Sequence, residues 1–88
     1  MDIITTEIEG LLIIKPKVFT DTRGYFFESW NKEYFKNNNI DINFVQDNQS
    51  YSSKGVIRGL HFQSPPHGQG KLVRVIQGSV IDVAVDIR

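Results

Sequence analysis

Short runs rich in Val, Ile, Phe and Tyr alternate with clusters of turn-forming residues along the whole chain. The turn clusters recur at intervals of roughly 8 to 12 residues, a rhythm typical of antiparallel β-sandwiches and β-barrels. The pattern therefore predicts an all-β fold with one short helix. The predicted strands cover residues 11–14, 25–30, 44–51, 56–63, 71–77 and 80–88.

The predicted helix covers residues 32–36, and Asn31 is its expected N-cap because an asparagine side chain can accept a backbone N–H of the first turn. The triplet of asparagines that follows predicts a loop. A tight turn is predicted at residues 21–24, where aspartate suits the first position and glycine the last.

The last two predicted strands form the clearest hairpin, turning at residues 77–79. In the final strand, alternate residues from Ile81 to Ile87 are all apolar, whereas the opposite face is mixed and includes Asp82. No turn or polar tail follows this pattern. We therefore expect the domain to continue beyond Arg88.

The composition limits the classes of protein to which the chain can belong. The 88 residues suffice for a single domain, 1–88, and a net charge of zero argues against a general nucleic-acid binder. The lack of cysteine removes disulfides and thiolate chemistry. Neither a signal-peptide layout nor the roughly 20 apolar residues of a membrane span is present. These features predict a soluble, cytoplasmic domain.

The predicted strand at residues 56–63 is the richest in chemistry, because it carries Arg58, His61 and Gln63. Histidine is the usual general base near neutral pH, although a lone strand histidine is more often held by a neighbouring backbone group. Arg58 and His61 would point to opposite faces of a regular strand. If both serve one pocket, a bulge or bend is expected at Gly59.

Weaker candidates lie on neighbouring segments. Gln46 and Asn48 share a strand face and could bind a polar ligand, or could form a solvated surface. Arg23 could contact phosphate or be a surface charge. Phe26 and Glu28 also share a face, where they could meet a base and a sugar or serve packing.

Lys71 lies on an otherwise apolar strand face, which makes it a candidate cation for an anion or an enolate. The alternative is a strand-end lysine whose ammonium reaches water. His67 lies in a loop and is assigned no role. Because His61 and His67 are the only histidines and form no closely spaced pair, a metal site is not expected.

Taken together and in order, several motifs resemble those of the dTDP-4-dehydrorhamnose 3,5-epimerase family. The resemblance spans nearly all of the chain, and the ordered combination is highly specific. The strings are Asp-Thr-Arg-Gly-Tyr-Phe-Phe-Glu-Ser at 21–29, Phe-Val-Gln-Asp-Asn at 44–48, Ser-Ser-Lys-Gly-Val-Ile-Arg-Gly-Leu-His-Phe-Gln at 52–63, Gln-Gly-Lys-Leu-Val-Arg-Val at 69–75 and Asp-Val-Ala-Val-Asp-Ile-Arg at 82–88.

The resemblance implies a cupin-like jelly-roll β-sandwich that forms a homodimer by exchanging strands. It also implies a dTDP-4-dehydro-6-deoxy-glucose substrate, inverted at C3 and C5 on the way to dTDP-rhamnose, with no metal or organic cofactor. A related 3-epimerase or ketoisomerase, or a nucleotide-sugar-binding module without turnover, remains an alternative.

By the same resemblance, His61 is the base and Lys71 stabilises the enolate. The implied substrate-binding residues are Arg23, Phe26, Glu28, Gln46, Asn48 and Arg58, with Asp82 as a possible addition. Members of the family are about twice as long, and their catalytic tyrosine lies in the second half. The tyrosines present here, Tyr25, Tyr34 and Tyr51, do not occupy that position, so these residues carry the base side of the site and not the acid side.

Overall fold

The computed structural model describes all residues from 1 to 88, and its regular elements lie in the first half of the chain. In order they are β1 (Asp2–Thr5), β2 (Leu12–Lys15), β3 (Phe19–Asp21), β4 (Gly24–Phe26) and α1 (Lys32–Asn37). The strands form two separate antiparallel hairpins, β1–β2 and β3–β4. Antiparallel strands and one short helix are thus confirmed.

The β1–β2 hairpin pairs Asp2 with Lys15 and Thr5 with Leu12. Its connection is closed by Thr6, whose hydroxyl accepts from the backbone N–H of Ile8 at 3.2 Å and lies 2.9 Å from the carbonyl oxygen of Leu11. Hydrogen bonds of the Thr6 side chain therefore hold the connection where the strand ladder has ended.

The β3–β4 hairpin pairs Phe19 with Phe26 and Asp21 with Gly24, which confirms the tight turn predicted at residues 21–24. The two central turn residues have negative φ, so the turn is not the type I′ that two-residue hairpins usually adopt. The positive φ falls instead on Gly24, at +138°, where a side chain would be strained.

Helix α1 has well-formed caps at both ends. The Asn31 side chain accepts from the backbone N–H of Tyr34 at 3.0 Å, which confirms it as the N-cap. At the other end Asn39 has a φ of +66°, and the backbone N–H of Ile40 donates to the Phe35 carbonyl at 2.8 Å. This is a Schellman motif with asparagine in the place of glycine, and it ends the helix within the predicted loop.

Burial is confined to the surroundings of this helix. Phe35 is 2% exposed and is the one fully buried side chain, with the Trp30 ring edge-on to it at 6.4 Å between centroids. The chain exposes 8755 Å². A folded globular protein of this mass would expose about 5300 Å². Most apolar surface is therefore still in contact with solvent.

The strands predicted at residues 44–51, 56–63, 71–77 and 80–88 are not formed, and β4 ends before most of the stretch predicted at 25–30. At the hairpin predicted around residues 77–79, Gly78 has a positive φ, but no paired strands flank it. A strand needs a neighbour for its backbone hydrogen bonds and a second layer for its apolar face. Both are missing here, since Ile57 is 93% and Ile81 94% exposed. Strands β1 and β3 were not among the strands predicted from the sequence.

The chain divides into two compact units, one of Met1–Asp41 with Ile81–Arg88 and one of Ile42–Val80. In the first unit the Arg88 guanidinium pairs with Asp86 at 2.9 Å and donates to the carbonyl oxygen of Glu9, which joins the last segment to the turn of the first hairpin. No helix in the chain combines the length and the apolar character needed to cross a membrane.

Candidate functional site

The predicted site residues fall into two sets, one in each compact unit. Arg23, Phe26, Glu28 and Asp82 belong to the unit that contains the hairpins and the helix. The second unit, Ile42–Val80, carries the remaining candidates, which are Gln46, Asn48, Arg58, His61 and Lys71.

Arg23 lies in the turn between β3 and β4 and is bound there by Asp21. The Asp21 carboxylate accepts from the Arg23 backbone N–H at 2.8 Å, from Nε at 3.2 Å and from a terminal guanidinium nitrogen at 2.7 Å. These hydrogen bonds from Arg23 lower the pKa of Asp21 below its ordinary value. Since the Arg23 side chain is 89% exposed, its remaining N–H groups still face solvent.

Two open grooves run along the β3–β4 hairpin. The larger, of about 480 Å³, is lined by Arg23 and Phe26 together with the rest of the hairpin. The smaller, of about 290 Å³, brings Phe26 and Glu28 together with Lys17 and Tyr34. Phe26 borders both grooves, whereas Arg23 borders only the larger one and Glu28 only the smaller one.

The smaller groove contains a cation that the sequence analysis did not single out. The Lys17 ammonium lies 5.2 Å from the centre of the Phe19 ring, within the range of a cation–π contact. Phe19 in turn is paired with Phe26 across the hairpin. The sequence could have predicted this contact, because Lys17 and Phe19 are two residues apart. Side chains at that spacing lie on one face of an extended chain.

In the second unit, the two predicted amides contact each other. Gln46 donates from Nε2 to Oδ1 of Asn48 at 3.3 Å. This agrees with the prediction that they share a face, although residues 44–51 form no strand. Both side chains are exposed and keep unused donors and acceptors.

Arg58 is held by the segment that precedes it. Its Nε donates to the hydroxyl of Ser52 at 3.0 Å, and a terminal nitrogen donates to the carbonyl oxygen of Tyr51 at 3.1 Å. Neither partner is charged, and no carboxylate lies within ion-pair distance of it among the 88 residues. The hydrogen bonds that orient Arg58 therefore come from neutral groups, which do not compensate its charge.

His61 is exposed and lies two residues after Gly59, whose φ is +124°. A β-carbon placed on Gly59 would lie 4.0 Å from Nδ1 of His61, so the imidazole lies over the glycine as residues two apart on one face would. No hydrogen bond to a protein group engages the imidazole within the 88 residues. Gly59 has a positive φ, but residues 56–63 form no strand, so the bulge or bend predicted there stays a prediction. The backbone hydrogen bond expected of a purely structural histidine is absent.

Lys71 is exposed and has no ion pair, and Asp82 has none either. No hydrogen bond joins Lys71 to His61. No group of three or more histidines, cysteines, aspartates and glutamates in the chain is close enough together to hold a metal ion.

Comparison with known proteins identifies the group to which these features belong. Residues 5–88 match the family model described as dTDP-4-dehydrorhamnose 3,5-epimerase. Proteins of that name from Shigella flexneri and Methanothermobacter thermautotrophicus are 56% and 55% identical to the chain, over 100% and 97% of its length. These alignments cover 49% and 45% of the two relatives, and 26% of a 56% identical protein of the same name from Neisseria gonorrhoeae. The chain spans about half the length of most curated relatives it matches, and it belongs to the dTDP-4-dehydrorhamnose 3,5-epimerase family.

Proposed function

We propose that these residues form the proton-abstracting half of a dTDP-4-dehydro-6-deoxy-glucose 3,5-epimerase of dTDP-rhamnose biosynthesis. The strongest support is the combination of family membership, a His61 imidazole with no protein hydrogen-bond partner, and an Arg58 guanidinium held by neutral groups. A free imidazole and a fixed cation are what a base and an anion-binding group require.

The C4 ketone of such a sugar makes the hydrogens at C3 and C5 acidic. In the proposed step His61 removes the proton at one of these carbons, and the electron pair moves toward the ketone oxygen. Lys71 stabilises the resulting enolate oxygen by its positive charge. A proton returned to the opposite face of the carbon completes the inversion, and the donor of that proton is assigned to none of the 88 residues.

The proposal assigns the other candidates to binding. Arg23, Glu28, Gln46, Asn48 and Arg58 would contact the sugar and diphosphate, and Phe26 would lie near the thymine. Asp82 is a weaker addition. The grooves beside Phe26 and the unpaired charge of Arg58 support this assignment. No metal or organic cofactor is required by the chemistry.

The proposed architecture is a cupin-like jelly roll whose subunits form a homodimer by exchanging strands. Its support is the alternating apolar face from Ile81 to Ile87, which is largely exposed within this chain and would be covered by further strands. The predicted cytoplasmic location stays a prediction.

The test measures the rate at which solvent deuterium enters C3 and C5 of the keto sugar. The enzyme sample is the complete polypeptide that the gene encodes. Exchange at both carbons is expected, with loss of at least about a hundredfold in His61→Ala. His67→Ala, the matched control in the loop, should retain the wild-type rate. Absence of exchange in the wild type, or undiminished exchange in His61→Ala, would overturn the proposal.

A second candidate is a nucleotide-sugar-binding module without turnover. Calorimetry with dTDP on the 88-residue chain distinguishes the two, because binding without deuterium exchange favours the module. Product analysis separates the 3,5-epimerase from a 3-epimerase or a ketoisomerase of related chemistry.

A further inference from the structure

The two arginines with hydrogen-bonded guanidinium groups among the candidates differ in the charge of their partners. Arg23 is paired with the carboxylate of Asp21 at 2.7 Å, which partly neutralises it. Arg58 is held by the Ser52 hydroxyl and the Tyr51 carbonyl oxygen, which are both neutral. Only the second arrangement fixes the direction of the guanidinium and leaves its charge uncompensated.

The geometry of the contacts determines which part of Arg58 stays available. A guanidinium has five N–H donors. One N–H on Nε and one on a terminal nitrogen are used by the 51–52 segment, so three remain. The three remaining donors belong to the two terminal nitrogens, and the edge between those nitrogens has no protein partner besides the Tyr51 carbonyl oxygen. That edge matches two oxygens of a phosphate group in a bidentate contact.

We propose that Ser52 is a positioning residue, which orients Arg58 so that its open edge contacts the diphosphate of the nucleotide sugar. The inference rests on the proposed function and deepens it. An arginine side chain has many rotamers, and ordering it on ligand binding costs free energy. Because the Ser52 hydroxyl already orients the plane of the guanidinium in the free protein, less conformational entropy is lost when the ligand binds.

The neighbouring serines provide matched controls. The Ser53 carbonyl oxygen accepts from the backbone N–H of Val56 at 3.3 Å, a contact that does not involve its side chain. Ser53→Ala therefore removes a hydroxyl beside Ser52 with no effect on Arg58. Ser52→Thr keeps a hydroxyl at the same position and serves as the conservative variant.

The experiment measures the dissociation constant for dTDP and the kcat and KM of epimerisation, with the polypeptide as its gene encodes it. A hydrogen bond contributes about 0.5–1.5 kcal/mol, so Ser52→Ala should weaken dTDP binding roughly 2- to 12-fold and raise KM similarly, with kcat nearly unchanged. Ser52→Thr should restore most of the affinity, and Ser53→Ala should match the wild type.

A double-mutant cycle shows whether Ser52 acts through Arg58. In an Arg58→Ala background, the additional change Ser52→Ala should have no further effect on dTDP affinity. The inference is overturned if Ser52→Ala matches Ser53→Ala, or if its effect persists without Arg58. If the wild type neither binds dTDP nor exchanges deuterium, the proposed function fails and the role of Ser52 fails with it. Wild-type activity with an unaltered Ser52→Ala variant refutes the positioning role alone.

Discussion

The Asp21 carboxylate accepts from both the backbone N–H and the guanidinium of Arg23, at 2.8 Å and 2.7 Å. The turn between β3 and β4 is therefore closed by a side chain as well as by the strand ladder. The same turn presents Arg23 to the groove that Phe26 lines. One aspartate thus contributes both to the local fold and to the orientation of a candidate ligand contact.

We expect Arg23→Gln to raise the pKa of Asp21 toward the ordinary value of about 3.9, because the charged partner is removed. In the wild type this pKa is lowered, so the contribution of the pair to turn stability is fully present above the ordinary value and is lost as pH falls through the lowered one. An NMR titration of the Asp21 carboxyl carbon measures the shift. The pKa of Asp86, lowered by Arg88, should not change and serves as the control. Equal Asp21 midpoints in the two proteins would contradict the assignment.

We expect Asn31→Ala to destabilise helix α1 by about 1 kcal/mol, because the N-cap oxygen that accepts from Tyr34 is lost. The free energy of unfolding from denaturant titration, with amide hydrogen exchange at Tyr34, measures the effect. Asn31→Ser should retain most of the stability, since serine is a comparable N-cap. Equal losses in the alanine and serine variants would show that the cap is not the cause.

We expect Gly59→Ala to cost about 1–3 kcal/mol, because its φ of +124° is unfavourable for any residue with a β-carbon. Steric conflict is not the reason, since the added carbon would lie 3.9–4.0 Å from His61. Gly68→Ala is the matched control: its added carbon would lie 3.7 Å from the Gln63 carbonyl oxygen, without a positive φ. Denaturant unfolding should show a lower stability for Gly59→Ala than for Gly68→Ala. Equal stabilities would contradict the assignment of the cost to the positive φ.

We expect Lys71→Met to lower the kcat of epimerisation by about 10²–10³-fold with a smaller change in KM, because the charge is needed as the enolate forms. Lys54→Met, in the turn at residues 53–56, removes an exposed lysine outside the proposed site and should leave kcat unaltered. Steady-state kinetics on the polypeptide as its gene encodes it measures both constants. A Lys71→Met variant with altered KM alone would assign this lysine to binding instead.

Local interactions explain which parts of the fold the sequence predicted. The N-cap at Asn31, the loop after α1 and the turn at residues 21–24 all depend on contacts between residues at most five apart, and each is present. The strand predicted at residues 11–14 is shifted by one residue as β2. None of the strands predicted after residue 43 forms. Even the hairpin predicted at residues 77–79 has a local turn but no second layer to cover its apolar face.

The sequence by itself determined the family, the capped helix, the tight turn and the residue types available for chemistry, because ordered motifs and short-range hydrogen bonds are encoded locally. Only the tertiary structure decided which candidates share a groove and which groups hold them. Arg23 is bound by Asp21, Arg58 by Ser52, and the Lys17 ammonium lies over Phe19. These long side chains can each reach several partners, and the spacing of residues in the sequence does not distinguish among them. The course of the backbone decides which of these contacts forms.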